Sequence, residues 1–164
     1  MRIRVAQSED LGAIVGIYNE AIATRRAVGD LTPVSVADRL PWFEEHRAGS
    51  HPLFVAEVGG KVAGWCSLSA YRPGRMALRH TAEISYFVAE AFQRRGLATA
   101  LIRHAIESCE SLQIRNLFGI VMERNEASRK LMVKLGFEQW GLLPRVADFN
   151  GEECGHLYFG RRVG

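Results

Sequence analysis

A basic segment with one glycine, Gln93–Thr99, has the residue types that bind a phosphate group. It follows an apolar run that ends at Val88, and apolar residues at helical spacing begin at Leu97. These patterns predict a strand, a short loop and the first turn of a helix. Unpaired backbone N–H groups and a partial positive charge favour an anion there. The glycine would let the backbone approach closely, and the two arginines add positive charge.

Two common phosphate-binding loops do not match this segment. The P-loop ends in Gly-Lys-Ser/Thr, and the dinucleotide fingerprint has three spaced glycines after an early strand. The segment instead reads Gln93-x-x-Gly96-x-Ala98. Taken alone, it also fits an ordinary strand-to-helix turn with solvated arginines.

One carboxylate, Glu83, lies on the predicted strand that leads to this loop. Alternation places Ser85 and Phe87 on the same face of the strand as Glu83. A carboxylate that is partly desolvated in a cleft has a raised pKa and can accept a proton from a reacting group. The spacing by itself also fits an exposed strand glutamate.

The loop before this strand is strongly cationic. The ten residues of this loop, 71–80, include Arg72, Arg75, Arg79 and His80. Arginine forms forked hydrogen bonds with acidic groups, so the loop is a candidate for binding an acidic substrate. A solvated loop, or one at a contact between two copies of the chain, would have the same composition.

The elements that must position these residues follow from periodicity, capping residues and turn signals. Strands are predicted at 2–5, 52–57, 61–70, 81–88, 116–122, 137–142 and 155–162, and helices at 8–22, 35–43, 97–112 and 126–135. Ser8 and Ser35 are the predicted helix caps. Layer logic then predicts an α/β (α+β) fold, a mixed sheet with helices on its faces.

Size and composition narrow the class of protein. The chain has 164 residues, which predicts one domain over residues 1–164, and 48% of them are hydrophobic. Apolar runs are too short to span a membrane and the N-terminus does not resemble a signal peptide, so a cytoplasmic location is expected. The three cysteines fit neither a disulfide framework nor metal-ligand spacing. A net charge of +3 agrees with an anionic ligand and does not favour nucleic acid.

Four segments, in order, resemble the Gcn5-related N-acetyltransferase superfamily. The predicted hairpin Phe54–Gly64 is similar to a strand pair of that superfamily, and the strand that ends at Val88 follows it. Gln93 to Ala98 resembles its pyrophosphate signature, Gln/Arg-x-x-Gly-x-Gly/Ala. Asn125–Phe137 resembles its Asn-x-x-Ala/Ser-x-x-Leu-Tyr-x-Lys-Leu-Gly-Phe helix. The resemblance implies a mostly antiparallel sheet with a splayed, V-shaped central cleft, and acetyl-CoA as co-substrate with no metal.

A narrower resemblance is to the phosphinothricin and methionine sulfoximine acetyltransferase branch. It rests on Ile17–Ala21, Trp42-Phe43, Arg72-Pro73 and Arg79–Glu83. The branch implies a homodimer and an acceptor amine that is small, polar and like an amino acid. A peptide N-terminus or a polyamine is the alternative acceptor. The residues expected to line the acceptor side of the site are Tyr18, Asp30 and Leu31.

The resemblance also implies roles for individual residues. Glu83 is the expected general base, and the Val88 N–H, freed by a bulge, is expected to hold the acetyl oxygen. The expected cofactor-binding residues are Tyr86, Phe87, Val88, Gln93, Arg94, Arg95, Gly96, Leu97, Ala98, Thr99, Asn125 and Ser128. The expected substrate-binding residues are Arg72, Arg75, Arg79 and His80.

The chain departs from the superfamily at Met132, where many members have tyrosine and the narrower branch often has histidine. Methionine cannot donate a proton to the leaving thiolate. Either no acid is needed, because a thiolate is a tolerable leaving group near neutral pH, or water or another residue such as His156 or Tyr158 serves as the acid. The departure leaves a second hypothesis open, a non-catalytic acyl-CoA-binding module. Glu83 argues against it, because such a module has no use for a carboxylate beside a thioester.

Overall fold

The computed structural model describes residues 1–47 and 49–164. Its strands are β1 (Arg2–Val5), β2 (Leu53–Val58), β3 (Lys61–Ala70), β4 (Thr81–Val88), β5 (Asn116–Met122), β6 (Glu138–Phe149) and β7 (Glu152–Arg162). Its helices are α1 (Leu11–Ala23), α2 (Val36–Arg47), α3 (Leu97–Ser108) and α4 (Glu126–Lys134). Short 3-10 turns lie at Ser8–Asp10, Met76–Leu78 and Glu90–Phe92.

The strands of this part of the chain form one sheet in the order β1-β2-β3-β4-β5-β7-β6. Neighbouring strands are antiparallel except β4 and β5, which are parallel. The β4–β5 ladder runs only from Thr81–Asn116 to Glu83–Phe118, although both strands continue well beyond it. Beyond Glu83 the two strands diverge, which confirms the predicted V-shaped cleft in a mostly antiparallel sheet.

Apolar side chains form a core on each face of the sheet. One core packs α3 and α4 against the sheet and includes Leu101, Ile102 and Met132, all fully buried. The other packs α1 and α2 against the opposite face around Trp65, whose indole N–H donates to the Ile14 carbonyl at 3.1 Å. The central sheet is therefore packed on both faces.

The predicted order of elements is confirmed, and several boundaries were wrong. The helix after Gly96 ends at Ser108 instead of residue 112. The final hairpin is much longer than predicted, because most β6 residues are exposed and show no apolar alternation by which sequence could detect them. Its predicted turn at Asn150-Gly151 is present, with positive φ at both residues.

The helix caps show one confirmed prediction and one error. The Ser35 hydroxyl accepts a hydrogen bond from the Asp38 N–H at 3.1 Å, and the Asp38 carboxylate accepts one from the Ser35 N–H at 3.1 Å. Ser8 does not cap α1, because it begins the 3-10 turn that precedes this helix. In that turn the Asp10 carboxylate accepts from the Gln7 N–H at 2.7 Å and from the Arg4 guanidinium at 2.6 Å. None of the described helices has both the length and the apolar composition needed to cross a bilayer.

Candidate active site

A cavity of ≈ 1140 Å³ occupies the opening between β4 and β5. Its walls come from α1 and the loop after it, from β3, β4 and β5, from the 90–99 segment and from the first turn of α4. The cavity thus joins both faces of the sheet to the loop that the sequence marked as an anion site.

The face of β4 that carries Glu83 is lined by three cross-strand pairs with β3. Ser69 pairs with Glu83, Ser67 with Ser85, and Trp65 with Phe87. Paired residues of antiparallel strands lie on one face, about 5 Å apart. The α1–α2 face of the cavity therefore has a polar floor near the closed end of the cleft and an aromatic floor toward its mouth. This confirms that Glu83, Ser85 and Phe87 share a face.

Glu83 is half-buried at the closed end of the cleft, where the β4–β5 ladder stops. Desolvation in this position raises the pKa of the Glu83 carboxyl above that of an ordinary glutamate. A carboxylate with a raised pKa is a better proton acceptor near neutral pH. The location and environment both suit a general base.

A chain of hydrogen bonds lies behind Glu83. The buried His46 ring donates from Nδ1 to the Trp42 carbonyl at 2.7 Å, because a carbonyl can only accept. In the neutral ring Nε2 then accepts from the Ser69 hydroxyl at 3.2 Å. Ser69 is thereby held with its oxygen lone pairs free on the face it shares with Glu83. Sequence reasoning missed these residues, since nothing local links α2 to β3.

The backbone of β4 directs donors into the cleft. The Ala89 N–H donates to the Ala63 carbonyl at 2.9 Å, so Ala89 is in a hydrogen-bonded pair with β3. Such positions alternate along an antiparallel strand, so Val88 and Tyr86 direct their N–H groups away from β3 and toward the cleft. The β3–β4 register is continuous, so the expected bulge is not in this pair of strands. The cleft opens because the β4–β5 ladder ends.

The Gln93–Thr99 segment forms the mouth of the cavity. Within residues 1–47 and 49–164, none of the backbone N–H groups from Arg94 to Thr99 has a hydrogen-bond partner. Arg94 and Gly96 have φ of 61° and 80°, and Gly96 immediately precedes α3. Consecutive N–H groups at a helix start, with left-handed residues between them, form a concave anion site. The Gln93 side chain braces the loop by donating to the Val88 carbonyl at 3.4 Å.

Eleven of the twelve predicted cofactor-binding residues line this cavity, and Arg95 does not. The Arg95 guanidinium lies over the Phe92 ring, 5.4 Å from its centroid. Asn125 caps α4 by accepting from the Ser128 N–H at 3.3 Å, which leaves its side-chain NH₂ free to donate. The structure thus brings these residues together, and their binding role stays a prediction.

Met132 lies below the cavity and is not part of its lining. It is fully buried, and a Cβ added at Gly119 would be 2.7 Å from the Met132 Cε, so glycine at that position makes room for the methionine. Of the two other candidates for an acid, His156 lines the cavity and burial lowers its pKa. The Tyr158 ring stacks on the Phe118 ring, with 6.0 Å between the two centroids, and Tyr158 does not line the cavity.

The cationic loop lies apart from the cavity in the single chain. Arg72, Arg75 and Arg79 are exposed, and none of them lines the cavity. His80 anchors the loop by donating from Nδ1 to the Gln113 carbonyl at 2.6 Å. Substrate binding by these four residues stays a prediction.

A cation that the sequence did not mark does line the acceptor face. The Arg39 guanidinium lies over the Tyr18 ring, 4.2 Å from its centroid, and 5.1 Å from that of Trp42. The Tyr18 hydroxyl donates to the Asp30 carboxylate, and burial raises the pKa of Tyr18 to about 12. Of the three residues expected near the acceptor, Tyr18 lines the cavity, and Asp30 and Leu31 do not.

Residues 14–137 match the family model described as "Acetyltransferase (GNAT) family". The chain belongs to the GNAT acetyltransferase family. The resemblance seen in the sequence is therefore confirmed, and so is its prediction of an acetyltransferase.

Two curated relatives come from the branch that the sequence suggested. YwnH of Bacillus subtilis, whose name assigns it provisionally to the phosphinothricin acetyltransferases, is 38% identical over 99% of both chains. The L-methionine sulfoximine/L-methionine sulfone acetyltransferase of Pseudomonas aeruginosa is 33% identical over 88% of this chain and 84% of its own length.

A solved structure shows the same fold with a ligand. The GNAT phosphinothricin acetyltransferase of Sinorhizobium meliloti, in complex with acetyl-CoA, is 27% identical and superposes with a TM-score of 0.93. The match covers 99% of this chain and 88% of that one.

Proposed function

We propose that this chain is an acetyl-CoA-dependent N-acetyltransferase whose acceptor is a small polar amine of the amino-acid type, with Glu83 as general base. The observation that carries the proposal is the end of the β4–β5 ladder at Glu83. It opens the sheet beside a half-buried carboxylate with a raised pKa, and the opening leads to a row of backbone N–H groups that have no hydrogen-bond partner among the described residues.

The residues present fit acetyl-CoA. The N–H groups of Arg94 to Thr99 would hold its pyrophosphate, as the helix start and the arginine charge favour. The free edge of β4 at Phe87 and Val88 and the Asn125 amide would hold the pantetheine arm. Acetyl-CoA supplies the activated acetyl group as a thioester.

The chain's own residues then supply three functions. Glu83 accepts the proton that the acceptor amine loses as it bonds to the acetyl carbon. The Val88 N–H, which points into the cleft, donates to the acetyl oxygen as that oxygen gains charge. Phe87 and Trp65 exclude water from the aromatic floor, which strengthens both interactions.

Arg39 is the candidate for binding the acceptor's acidic group. It is a half-buried cation on the same face of the sheet as Glu83, held against Tyr18 and Trp42. The relatives act, by name, on phosphinothricin and methionine sulfoximine, which are amino acids with a carboxylate. Arginine binds a carboxylate in a forked geometry that positions the neighbouring amine. The cationic loop of Arg72, Arg75, Arg79 and His80 is the alternative.

Assembly into a homodimer through β6 is part of the proposal. Strand β6 is the outer edge of the sheet, and its Leu142, Leu143 and Val146 side chains are 45%, 41% and 54% exposed. An apolar edge strand is a usual surface for pairing with a second copy. Sedimentation should give a dimer that Leu142→Asp with Val146→Asp converts to a monomer. A monomeric wild-type chain would contradict this part.

Thiol release from acetyl-CoA tests the function. The panel of amines includes phosphinothricin, methionine sulfoximine, methionine sulfone, common amino acids, a polyamine and a peptide N-terminus. Turnover with amino-acid-type amines is the expected result. Turnover with only the peptide or the polyamine would contradict the proposed amino-acid type of acceptor and favour the alternative class. Tight CoA binding with no turnover on any amine would favour the non-catalytic module that Met132 leaves open.

A further inference from the structure

The Tyr86 hydroxyl is a buried polar group without a partner. The oxygen is inaccessible to solvent and has no hydrogen-bond partner among the described residues. The Ser128 side chain is close enough to act as a hydrogen-bond partner that lowers the pKa of Tyr86, but the two groups do not meet the geometry of a hydrogen bond in this structure. Leaving a buried hydroxyl unpaired costs free energy, so the Tyr86 hydroxyl would gain the bond that it lacks here if a small side-chain movement let it donate to a ligand in the cavity.

Tyr86 lies on the cofactor side of the cleft. Alternation along β4 places its side chain on the face opposite Glu83, together with Val88 and the core under α3 and α4. It lines the cavity between the anion loop and Glu83, next to the first turn of α4. An acetyl group whose oxygen is held by the Val88 N–H would lie beside β4, so its sulfur would be close to Tyr86 on the same strand.

Transfer of the acetyl group leaves negative charge on that sulfur. The new C–N bond forms from the amine lone pair, the amine proton goes to Glu83, and the electron pair of the broken C–S bond stays on sulfur. Met132 is buried below the cavity and has no proton to donate. We propose that the Tyr86 O–H is the hydrogen-bond donor that stabilises the departing CoA thiolate. This inference rests on the proposed acetyl transfer.

The tyrosine keeps its proton throughout. Burial raises the pKa of Tyr86 to about 12, whereas a thiol has a pKa of about 8.5. Full proton transfer from phenol to thiolate is therefore unfavourable, and CoA leaves as the thiolate. The hydroxyl acts as a fixed dipole aimed at the developing charge, as donors do in an oxyanion hole.

Tyr86→Phe tests the proposal, with Tyr71→Phe as the matched loss of a tyrosine hydroxyl, because Tyr71 is partly exposed and does not line the cavity. For Tyr86→Phe we expect kcat to fall by about tenfold to a hundredfold, the low end for losing one preorganised donor. The Kd for acetyl-CoA should change by less than about twofold, because the bond forms fully only as charge develops. Tyr71→Phe should leave kcat within about threefold of wild type.

The ionisation of bound CoA gives a readout that a structural role would not move. The ultraviolet absorbance of the thiolate is titrated with CoA bound, and with desulfo-CoA bound as the blank. Tyr86→Phe should raise the pKa of the bound thiol by about one unit or more, a tenfold change in ionisation. This measurement needs no turnover, so it tests Tyr86 even if no acceptor in the panel reacts.

Two outcomes would overturn the assignment. Weaker binding of acetyl-CoA with unchanged kcat would place the hydroxyl on the pantetheine arm. An unchanged thiol pKa and unchanged kcat would make Tyr86 a packing residue. If wild type fails to turn over any amine while Tyr86→Phe shifts the thiol pKa, the acetyl-transfer function fails and the thiol contact stands.

Discussion

Glu83 and Phe118 form the last pair of the parallel ladder between β4 and β5. One residue later the strands part, so the only carboxylate of β4 lies where the sheet changes from continuous to open. The position explains both properties of Glu83. The closed side of the sheet desolvates the carboxyl and raises its pKa, and the open side gives a substrate access to it.

Replacing the base should reduce turnover. Glu83→Gln keeps the size of the side chain and removes the proton acceptor, so kcat should fall by at least about a hundredfold. Initial rates of thiol release at saturating substrates check this. Glu45→Gln, an exposed change of the same charge on α2, should leave kcat unaltered. Full activity of Glu83→Gln would remove this residue from the mechanism.

The pH dependence of kcat should report the raised pKa of Glu83. Only the ionised carboxylate accepts a proton, so kcat should fall as the pH is lowered through the pKa of Glu83 in the complex. Because burial raises that pKa, the acid limb should lie above the 4.5 of an ordinary glutamate. The limb should be missing from the residual activity of Glu83→Gln. An acid limb that is unchanged in this variant would belong to another group.

A change at the anion loop should weaken cofactor binding. Gly96 has φ of 80°, and a Cβ there meets no atom within 4 Å, so Gly96→Ala strains the backbone without a steric clash. A strain of about 1–2 kcal/mol should displace the N–H groups and raise the Kd for CoA by about tenfold or more. Calorimetric titration with CoA measures this.

Gly151→Ala is the control for Gly96→Ala. Gly151 has φ of 97° and lies in the turn between β6 and β7, where a Cβ also meets no atom within 4 Å. It should lose similar stability and keep the wild-type affinity for CoA. Equal loss of affinity in both variants would mean that strain acts through stability alone.

The acceptor's acidic group should distinguish Arg39 from the cationic loop. Arg39→Gln should raise the KM for an amino-acid acceptor by about tenfold or more, with less effect on the same acceptor as its neutral amide. Arg72→Gln with Arg75→Gln is the matched loss of loop cations and should leave that KM unchanged. The opposite pattern would assign acceptor binding to the loop.

The ion pair of Arg4 and Asp10 should make stability depend on pH. Hydrogen bonds from the Arg4 guanidinium are the main cause that lowers the pKa of the Asp10 carboxyl in the folded chain. Since the folded pKa is below the unfolded one, the stabilisation is present above the unfolded pKa and is lost as the pH falls through the folded pKa. Asp10→Asn should reduce the free energy of unfolding at neutral pH by about 1–3 kcal/mol.

Urea unfolding of Asp10→Asn and Glu45→Gln at neutral and acidic pH checks this. Glu45 is exposed and has no ion pair in the part of the chain that the structure describes. The difference in stability between wild type and Asp10→Asn should shrink in acid. A constant difference would mean that Asp10 stabilises α1 without its charge.

The anion loop and the base could be predicted from the sequence because each depends on residues close together in the chain. Gly96, the arginines beside it and the helix start lie within one turn, so their spacing specifies their geometry. Glu83 shares a strand with Phe87, and strand alternation fixes which side chains accompany it. Local rules of periodicity and capping predicted where these residues lie, and the family resemblance implied the roles expected of them.

The acceptor side could not be predicted in the same way. Arg39 reaches Tyr18 because α1 and α2 pack together on the sheet, and His46 reaches Ser69 across 23 residues of chain. The arginines of the cationic loop do not line the cavity of the single chain, because the direction of the loop depends on where β3 and β4 turn and not on its composition. The sequence gives the charge of a side chain, but the fold decides which surface that side chain faces.

The sequence by itself therefore determined the family, the order of the elements, the anion loop and the candidate base. The tertiary structure decided that the sheet opens one residue after Glu83, that Arg39 lines the cavity, and that the buried Tyr86 hydroxyl has no hydrogen-bond partner among the described residues. The physical reason is the distance along the chain over which each feature is determined. Local backbone geometry follows from neighbouring residues, whereas burial, desolvation and unpaired polar groups arise only when distant segments pack.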